Sequence, residues 1–181
     1  VPEWAVNGDM SGRERRFLSS INLDPPAQEL TNLRLLKRWQ EIEANELRYK
    51  EYYMEDAKFA VVGYGSTGRV ALSAVRAARA EGIPVGLIRP ITLAPFPSKI
   101  IAEAAKKVEG MLVVEMSSGQ MLDDVLLATK GSVPVEFAAR MGGVFMLPDE
   151  VSAEIHRMVE EPLTTDGHPR DRWLARMLKQ N

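Results

Sequence analysis

Cysteine is absent from the 181 residues, and histidine occurs only twice. This chain can therefore supply no disulfide, thiolate zinc site, cysteine-ligated iron–sulfur cluster or thiol nucleophile. Long apolar runs are also missing. No stretch approaches the roughly 18 unbroken apolar residues that span a bilayer, and the N-terminus lacks the charged-then-apolar order of a signal peptide. Charge of one sign is missing too: 23 basic and 25 acidic side chains leave −2, which argues against a general nucleic-acid binder. We therefore expect no nucleic-acid and no membrane partner, and a cytoplasmic location. What is present is a composition 45 % apolar and 27 % charged, enough to bury the core of one domain with an appendage. The first residue is Val1 rather than methionine, as in a piece of something longer or after removal of a tag.

Three zones follow one another, with no internal repeat. Residues 1 to 30 mix Gly8, Gly12, Pro25 and Pro26 with the charged cluster Arg13 to Arg16, and read as an irregular arm. The cluster suits a solvated turn or, more sharply, a contact with a partner. From Thr31 to Tyr53, Leu35, Trp39, Ile42, Tyr49 and Tyr53 recur at spacings of three and four, which predicts a helix. Thr31 or Asn32 would cap it, and Glu46 and Lys50 would pair across one turn. A helix that is half apolar must lie on something, either its own domain or a neighbouring subunit.

Residues 57 to 147 alternate strand-like and helix-like segments. Strands are predicted at Lys58 to Tyr64, Pro84 to Ile88, Met111 to Val114 and Val133 to Phe137. Between them come a turn at Gly63 to Gly68 and helices at Val70 to Ala78, Ser98 to Val108 and Gln120 to Ala128. Repeated β-α-β units with apolar strands specify an α/β fold, a mainly parallel sheet in a three-layer sandwich. Beyond it, a helix opened by Pro148 and Asp149, a polar turn at Thr164 to Pro169 and a short helix carrying Trp173 and Met177 form a tail.

The loudest motif is Gly63-Tyr64-Gly65-Ser66-Thr67-Gly68, a G-x-G-x-x-G between strand and helix. Such glycines can bring backbone close to a pyrophosphate at a helix N-terminus. The acidic residue that should follow for the ribose is missing; Arg89 ends the second strand instead and would suit a 2′-phosphate. A small NADP-binding domain using Gly63, Gly65, Ser66, Thr67, Gly68 and Arg89 is thus the alternative to a plain tight turn. The segment Arg89 to Pro97 holds three prolines in nine residues. It predicts a stiff loop at the sheet's carboxyl edge, either with Phe96 exposed for surface recognition or as a covered structural crossover. Glu115, ending the third strand of the repeat, could act as a general base or bond the amides of the neighbouring loop. His156 sits on a helix surface with solvent as its expected partner. No spacing of His, Asp and Glu resembles a metal site, and no catalytic set is apparent.

Several of these segments in order resemble the C-terminal half of the α subunit of 2-oxoacid:ferredoxin oxidoreductases. The residues that carry the resemblance are Asp56-Ala57 with Val61 to Thr67, Val85 to Leu93 with Pro95-Phe96-Pro97, Val113 to Met116 with Gly119-Gln120-Met121, and Arg140 to Gly143. The Leu33 to Tyr53 helix and Ser20-Ile21-Asn22-Leu23 are similar to the linker of the branched-chain (2-oxoisovalerate, or 3-methyl-2-oxobutanoate) members. Gly68, Ala94 and Ser117 stand where alanine, tryptophan and asparagine are common. The resemblance implies a transketolase C-terminal-like domain at 57–147, preceded by a linker arm and long helix at 1–56 and followed by a helical tail at 148–181. It implies an intact enzyme with thiamine diphosphate, magnesium and iron–sulfur clusters, coenzyme A as acyl acceptor and ferredoxin as electron acceptor. This chain lacks the N-terminal α domain and the G-D-G…N pattern that holds magnesium and diphosphate. It is thus expected to bind no cofactor or metal, to have no catalytic residue, and to serve as an interface domain. Arg89, Pro95, Phe96, Glu115 and Gln120 would contact the other domains or subunits, with a homodimer left open.

Overall fold

The computed structural model describes residues 19–179 together with Ala5 and Gly12; the Arg13 to Arg16 cluster lies outside the described residues. Two compact units divide the chain, residues 1–44 and 45–181.

The first unit is dominated by α1, Pro25–Asn45, none of whose residues is buried. Proline suits a helix start because its missing N–H would be unpaired there anyway, and the Gln28 amide donates to the Asp24 carbonyl at 3.0 Å. The helix therefore opens before Thr31, whose hydroxyl donates to the Ala27 carbonyl at 3.1 Å inside the helix instead of capping it. It also stops short of the predicted Tyr53. The backbone carbonyl of Arg48 accepts from the amides of Ile91 and Thr92, and Tyr49–Tyr52 forms a strand, β1, paired antiparallel with β3, Val85–Pro90. Spacing favoured helix here, but pairing to an open strand edge decided the conformation. Glu46 consequently pairs with Arg48 at 3.0 Å, not with Lys50.

The second unit continues with β2 (Phe59–Gly63), α2 (Gly65–Ala80) and β3, then α3 (Ser98–Ala105), β4 (Gly110–Glu115) and α4 (Gln120–Thr129). It closes with β5 (Val135–Ala139), α5 (Pro148–Glu160) and α6 (Pro169–Lys179). The sheet order is β1-β3-β2-β4-β5, with β2 to β5 mutually parallel. Successive strand side chains face opposite ways, so Ala60 and Val62 join Ile88, Val113 and Phe137 under α3, α4 and α6. Val61 joins Leu87 and Leu112 under α2 and α5. Both faces are covered, which is why the strands read as unbroken apolar runs. Each fully buried Val, Leu or Ile contributes about 1.5–3 kcal/mol relative to exposure.

The tail is bonded into this unit. Glu136 in β5 is only 4 % exposed and accepts from Arg157 at 2.7 Å, Arg172 at 3.1 Å and Arg176 at 3.4 Å. Trp173 of α6 meets the Phe137 ring edge-on, centroids 5.4 Å apart. Sheet and helices thus draw on residues on both sides of positions 57 and 147. Among the described residues no helix is long and apolar enough to cross a membrane.

Candidate functional site

From β2 the chain moves to β3 on one side, then returns across the sheet to β4 on the other. The strand order therefore reverses between β2 and β4, and open α/β sheets bind ligands outside the carboxyl ends at such a point. Here that place is occupied by the chain's own groups. Glu115, fully buried, accepts from the amides of Met121 and Leu122, both at 3.1 Å, and from the Ser117 hydroxyl at 2.7 Å. These amides open α4, and a carboxylate there satisfies donors that the helix cannot. Of the two roles weighed for Glu115, the structure supports the bonding of loop amides. Tyr64, half-buried on the core beneath, has its phenol pushed up by burial and then by the Glu115 charge.

The glycine motif is shared between strand and helix instead of forming a separate turn, since Gly63 ends β2 and Gly65 opens α2. Gly65 needs its freedom, with φ at +55°. At Gly68 a Cβ would lie 2.7 Å from the Gly63 carbonyl oxygen and 3.1 Å from Cγ of Arg89. The last glycine therefore lets α2 approach β2 and the Arg89 stem. Ser66 is exposed and Thr67 buried.

The proline-rich loop is tied down by the Arg48 amide, which donates to the Thr92 hydroxyl at 3.0 Å. The Ala94–Pro95 peptide is cis. Pro95 and Pro97 are buried, and Phe96 is half-buried against the α3–α4 side of the core. Phe96 is thus less available for surface recognition than a fully exposed ring, since it packs partly on the core. Ile91 and Leu93 are the exposed apolar residues of this loop, joined at the same edge by Met116, Met141, Val144 and Phe145. Gln120, exposed at the start of α4, has its amide 3.4 Å from the Ser117 hydroxyl.

Three features escaped sequence reasoning. Arg170 of α6 donates to the carbonyls of Ser118 and Gly119, at 2.6 and 2.9 Å, and to Asp123, fixing the β4–α4 loop. Nothing in the sequence pairs it with a loop some fifty positions earlier. The apolar run Val144 to Leu147 behind Gly142-Gly143 was readable as apolar from its composition, but not that Met146 enters the core while Val144, Phe145 and Leu147 stay exposed. His156 is not simply solvated: its Nε2 lies 2.6 Å from Glu81 and its Nδ1 2.8 Å from the Ser152 carbonyl. Among the described residues no three His, Asp or Glu side chains converge as a metal site.

A three-layer α/β domain with a mainly parallel sheet, its exposed apolar loops gathered on the carboxyl edge, is the class of protein these observations define. The chain belongs to the family described as pyruvate:ferredoxin oxidoreductase core domain II, which matches residues 57–151. The ketoisovalerate oxidoreductase subunit VorB of Methanothermobacter marburgensis is 44 % identical over 158 residues, 87 % of this chain and 44 % of that protein. VorB of Methanothermobacter thermautotrophicus is 49 % identical over 140 residues, 77 % of this chain and 39 % of that protein. The chain thus matches about two fifths of the length of these relatives. In fold it is similar to 2-oxoglutarate:ferredoxin oxidoreductase from Magnetococcus marinus, with a TM-score of 0.67 at 20 % identity over 77 % of this chain and 24 % of that one. The relatives are oxidoreductase subunits, and none of these findings supports the NADP-binding alternative.

Proposed function

We propose that the chain is a structural and interface domain of a 2-oxoacid:ferredoxin oxidoreductase α subunit of the branched-chain type. The observation that carries this reading is the 158-residue match to a ketoisovalerate subunit, which extends beyond the family segment 57–151. The 2-oxoglutarate synthase subunit KorA of the same organism is 39 % identical over a shorter stretch of 106 residues, which favours a branched-chain substrate. In this reading the intact cytoplasmic enzyme decarboxylates a 2-oxoacid oxidatively to its acyl-CoA, with thiamine diphosphate, magnesium and iron–sulfur clusters supplying the chemistry and ferredoxin taking the electrons. The residues of this chain do not fit those groups. It has no thiolate for a cluster, and the carboxylate at the switch point, Glu115, is consumed by its own loop.

The chain's own task is docking through the carboxyl edge, where Arg89 and Gln120 stand with Ile91 and Leu93. The test is reconstitution with the remaining subunits, assayed with 2-oxoisovalerate, pyruvate and 2-oxoglutarate, coenzyme A and viologen. Turnover should require the chain and be fastest with 2-oxoisovalerate. Turnover by the purified 181 residues alone would overturn the proposal.

A further inference from the structure

Arg89 is the penultimate residue of β3, at the carboxyl edge, and its Nε–H is shielded from solvent with no acceptor among the described residues. Among the described residues the rest of its guanidinium also has no hydrogen-bond or ion-pair partner. Other partly shielded arginines of the unit are satisfied, Arg79 by Asp56, Arg140 by Glu150, Arg157 and Arg172 by Glu136, while Arg69 and Arg76 are exposed to solvent. Arg176 also has an unpaired Nε, but its remaining nitrogens reach Glu136, Glu154 and the Phe137 carbonyl. A shielded guanidinium donor without an acceptor is unfavourable, and a fold keeps one where something outside completes it.

The surroundings indicate what that is. Lys50 stands opposite Arg89 in the β1–β3 register, and Gly68, in the first turn of α2, lies against the Arg89 stem. A cation and a helix N-terminus both favour a negative occupant. The carboxylate ending β4, Glu115, is committed to Ser117, Met121 and Leu122. Beside Arg89 the exposed Ile91 and Leu93 add an apolar rim that a small anion would not cover. An arginine within an apolar patch is the composition of an interface anchor, and its planar fork matches a carboxylate with two parallel bonds.

Resting on the docking reading above, we infer that Arg89 is the charged anchor of this edge and that it receives an Asp or Glu side chain from the protein surface that docks there. Two measurements test this with the full chain. The first is the melting temperature of the chain by itself for wild type and Arg89→Met. Removal of the unsatisfied donor at similar volume should raise it by about 2–4 °C. The second is the dissociation constant for the remaining subunits by sedimentation velocity, which Arg89→Met should weaken at least 10-fold and Arg89→Lys only in part, since lysine keeps charge without the fork. A destabilised Arg89→Met chain would reveal an internal partner and overturn the inference. So would binding unchanged by Arg89→Met. A wild-type melting temperature raised by inorganic phosphate beyond sodium chloride of equal ionic strength, and not in Arg89→Met, would assign the site to a small anion and overturn it too. If wild type does not associate at all, the docking reading itself fails, and the inference with it.

Discussion

The two edges of the sheet handle their charges and apolar side chains in opposite ways. At the amino edge, where strands β2 to β5 begin, Arg79 reaches Asp56 at 2.6 Å and the Val85 carbonyl at 3.1 Å. Lys58 faces Glu109 at 3.7 Å and His156 meets Glu81 at 2.6 Å. The Arg79 guanidinium also lies over the Tyr53 ring. In the loops at 81–84, 106–109 and 130–134 no large apolar side chain is exposed. At the carboxyl edge the Arg89 Nε has no acceptor among the described residues, and apolar side chains stand exposed from three successive loops, Phe145 at 71 %. An edge finished by its own residues needs no neighbour. An edge that leaves a donor unsatisfied and apolar area exposed is the one to which we assign a neighbour.

The carboxyl edge is itself divided, and the largest expected effect tests that division. Glu115 and Arg89 lie at the carboxyl ends of strands on either side of β2, yet only Glu115 is internally satisfied. Glu115→Ala leaves two α4 amides without acceptors and a cavity where the buried carboxylate was, and should lower stability by about 3 kcal/mol. Glu115→Gln keeps one acceptor oxygen and should lose roughly half as much. Urea unfolding measures both. A loss below about 1 kcal/mol would break the contrast with Arg89 and reopen a chemical role for this carboxylate.

Next in size is Gly68→Ala, which asks how tightly the helix beside Arg89 is seated. Alanine is the better helix former by about 1 kcal/mol. Here its Cβ would meet the Gly63 carbonyl at 2.7 Å, a backbone atom that cannot swing aside. Overpacking of this kind costs about 1–3 kcal/mol, so the variant should be less stable in urea despite its propensity. A more stable variant would show that α2 can lift off β2 without penalty. The same position explains what could be read from sequence. The G-x-G-x-x-G spelling located the passage from strand to helix, although Gly63 belongs to the strand and Gly65 to Gly68 to the helix instead of to a turn. Whether its third glycine serves a ligand or a close helix–strand approach depends on a distance that spelling does not contain. Strand and helix order from 57 to 147 was legible because fully buried parallel strands are continuously apolar. The end of α1 was not, since Tyr49 continues the helical spacing while its backbone pairs with β3, forty residues away. Glu115 was readable as a strand-end carboxylate with two roles, and only its bonded amides decide between them. Phe96 was placed on the right loop with exposure and cover both left open, because proline spacing does not tell which way the intervening side chain turns.

A smaller effect distinguishes exposed apolar area from structure. Phe145→Ser should leave the stability of the chain within about 0.5 kcal/mol, as for surface substitutions away from special features. Its loss should instead appear as weaker association with the remaining subunits, about 10-fold for an apolar contact worth ~1.4 kcal/mol. Sedimentation velocity beside a urea curve separates the two. Equal association with a destabilised chain would move Phe145 from interface to core support and weaken the contrast between the edges.

The smallest effect belongs to the finished edge. The Ser152 carbonyl and then the Glu81 carboxylate, each facing one His156 ring nitrogen, raise the imidazole above its ordinary value near 6.5. Holding both bonds requires the protonated ring, with Nδ1–H donating to Ser152 and Nε2–H to Glu81. A raised folded-state value means that the folded chain binds the proton more tightly than the unfolded chain. The stabilisation is therefore complete below about pH 6.5 and disappears as pH rises through the folded value. Because the ring is about one-third exposed and Glu81 more so, solvent screening keeps the effect small. Melting curves from pH 6 to pH 9 should show wild type losing a slight advantage over His156→Gln as pH rises, with the two converging at the alkaline end. Association with the remaining subunits should be the same for both at every pH, since the pair fastens α5 to the end of α2 away from the edge we propose for docking. A His156→Gln chain that folds normally but assembles poorly would place a partner at the amino edge as well, and the opposition between the two edges would no longer hold.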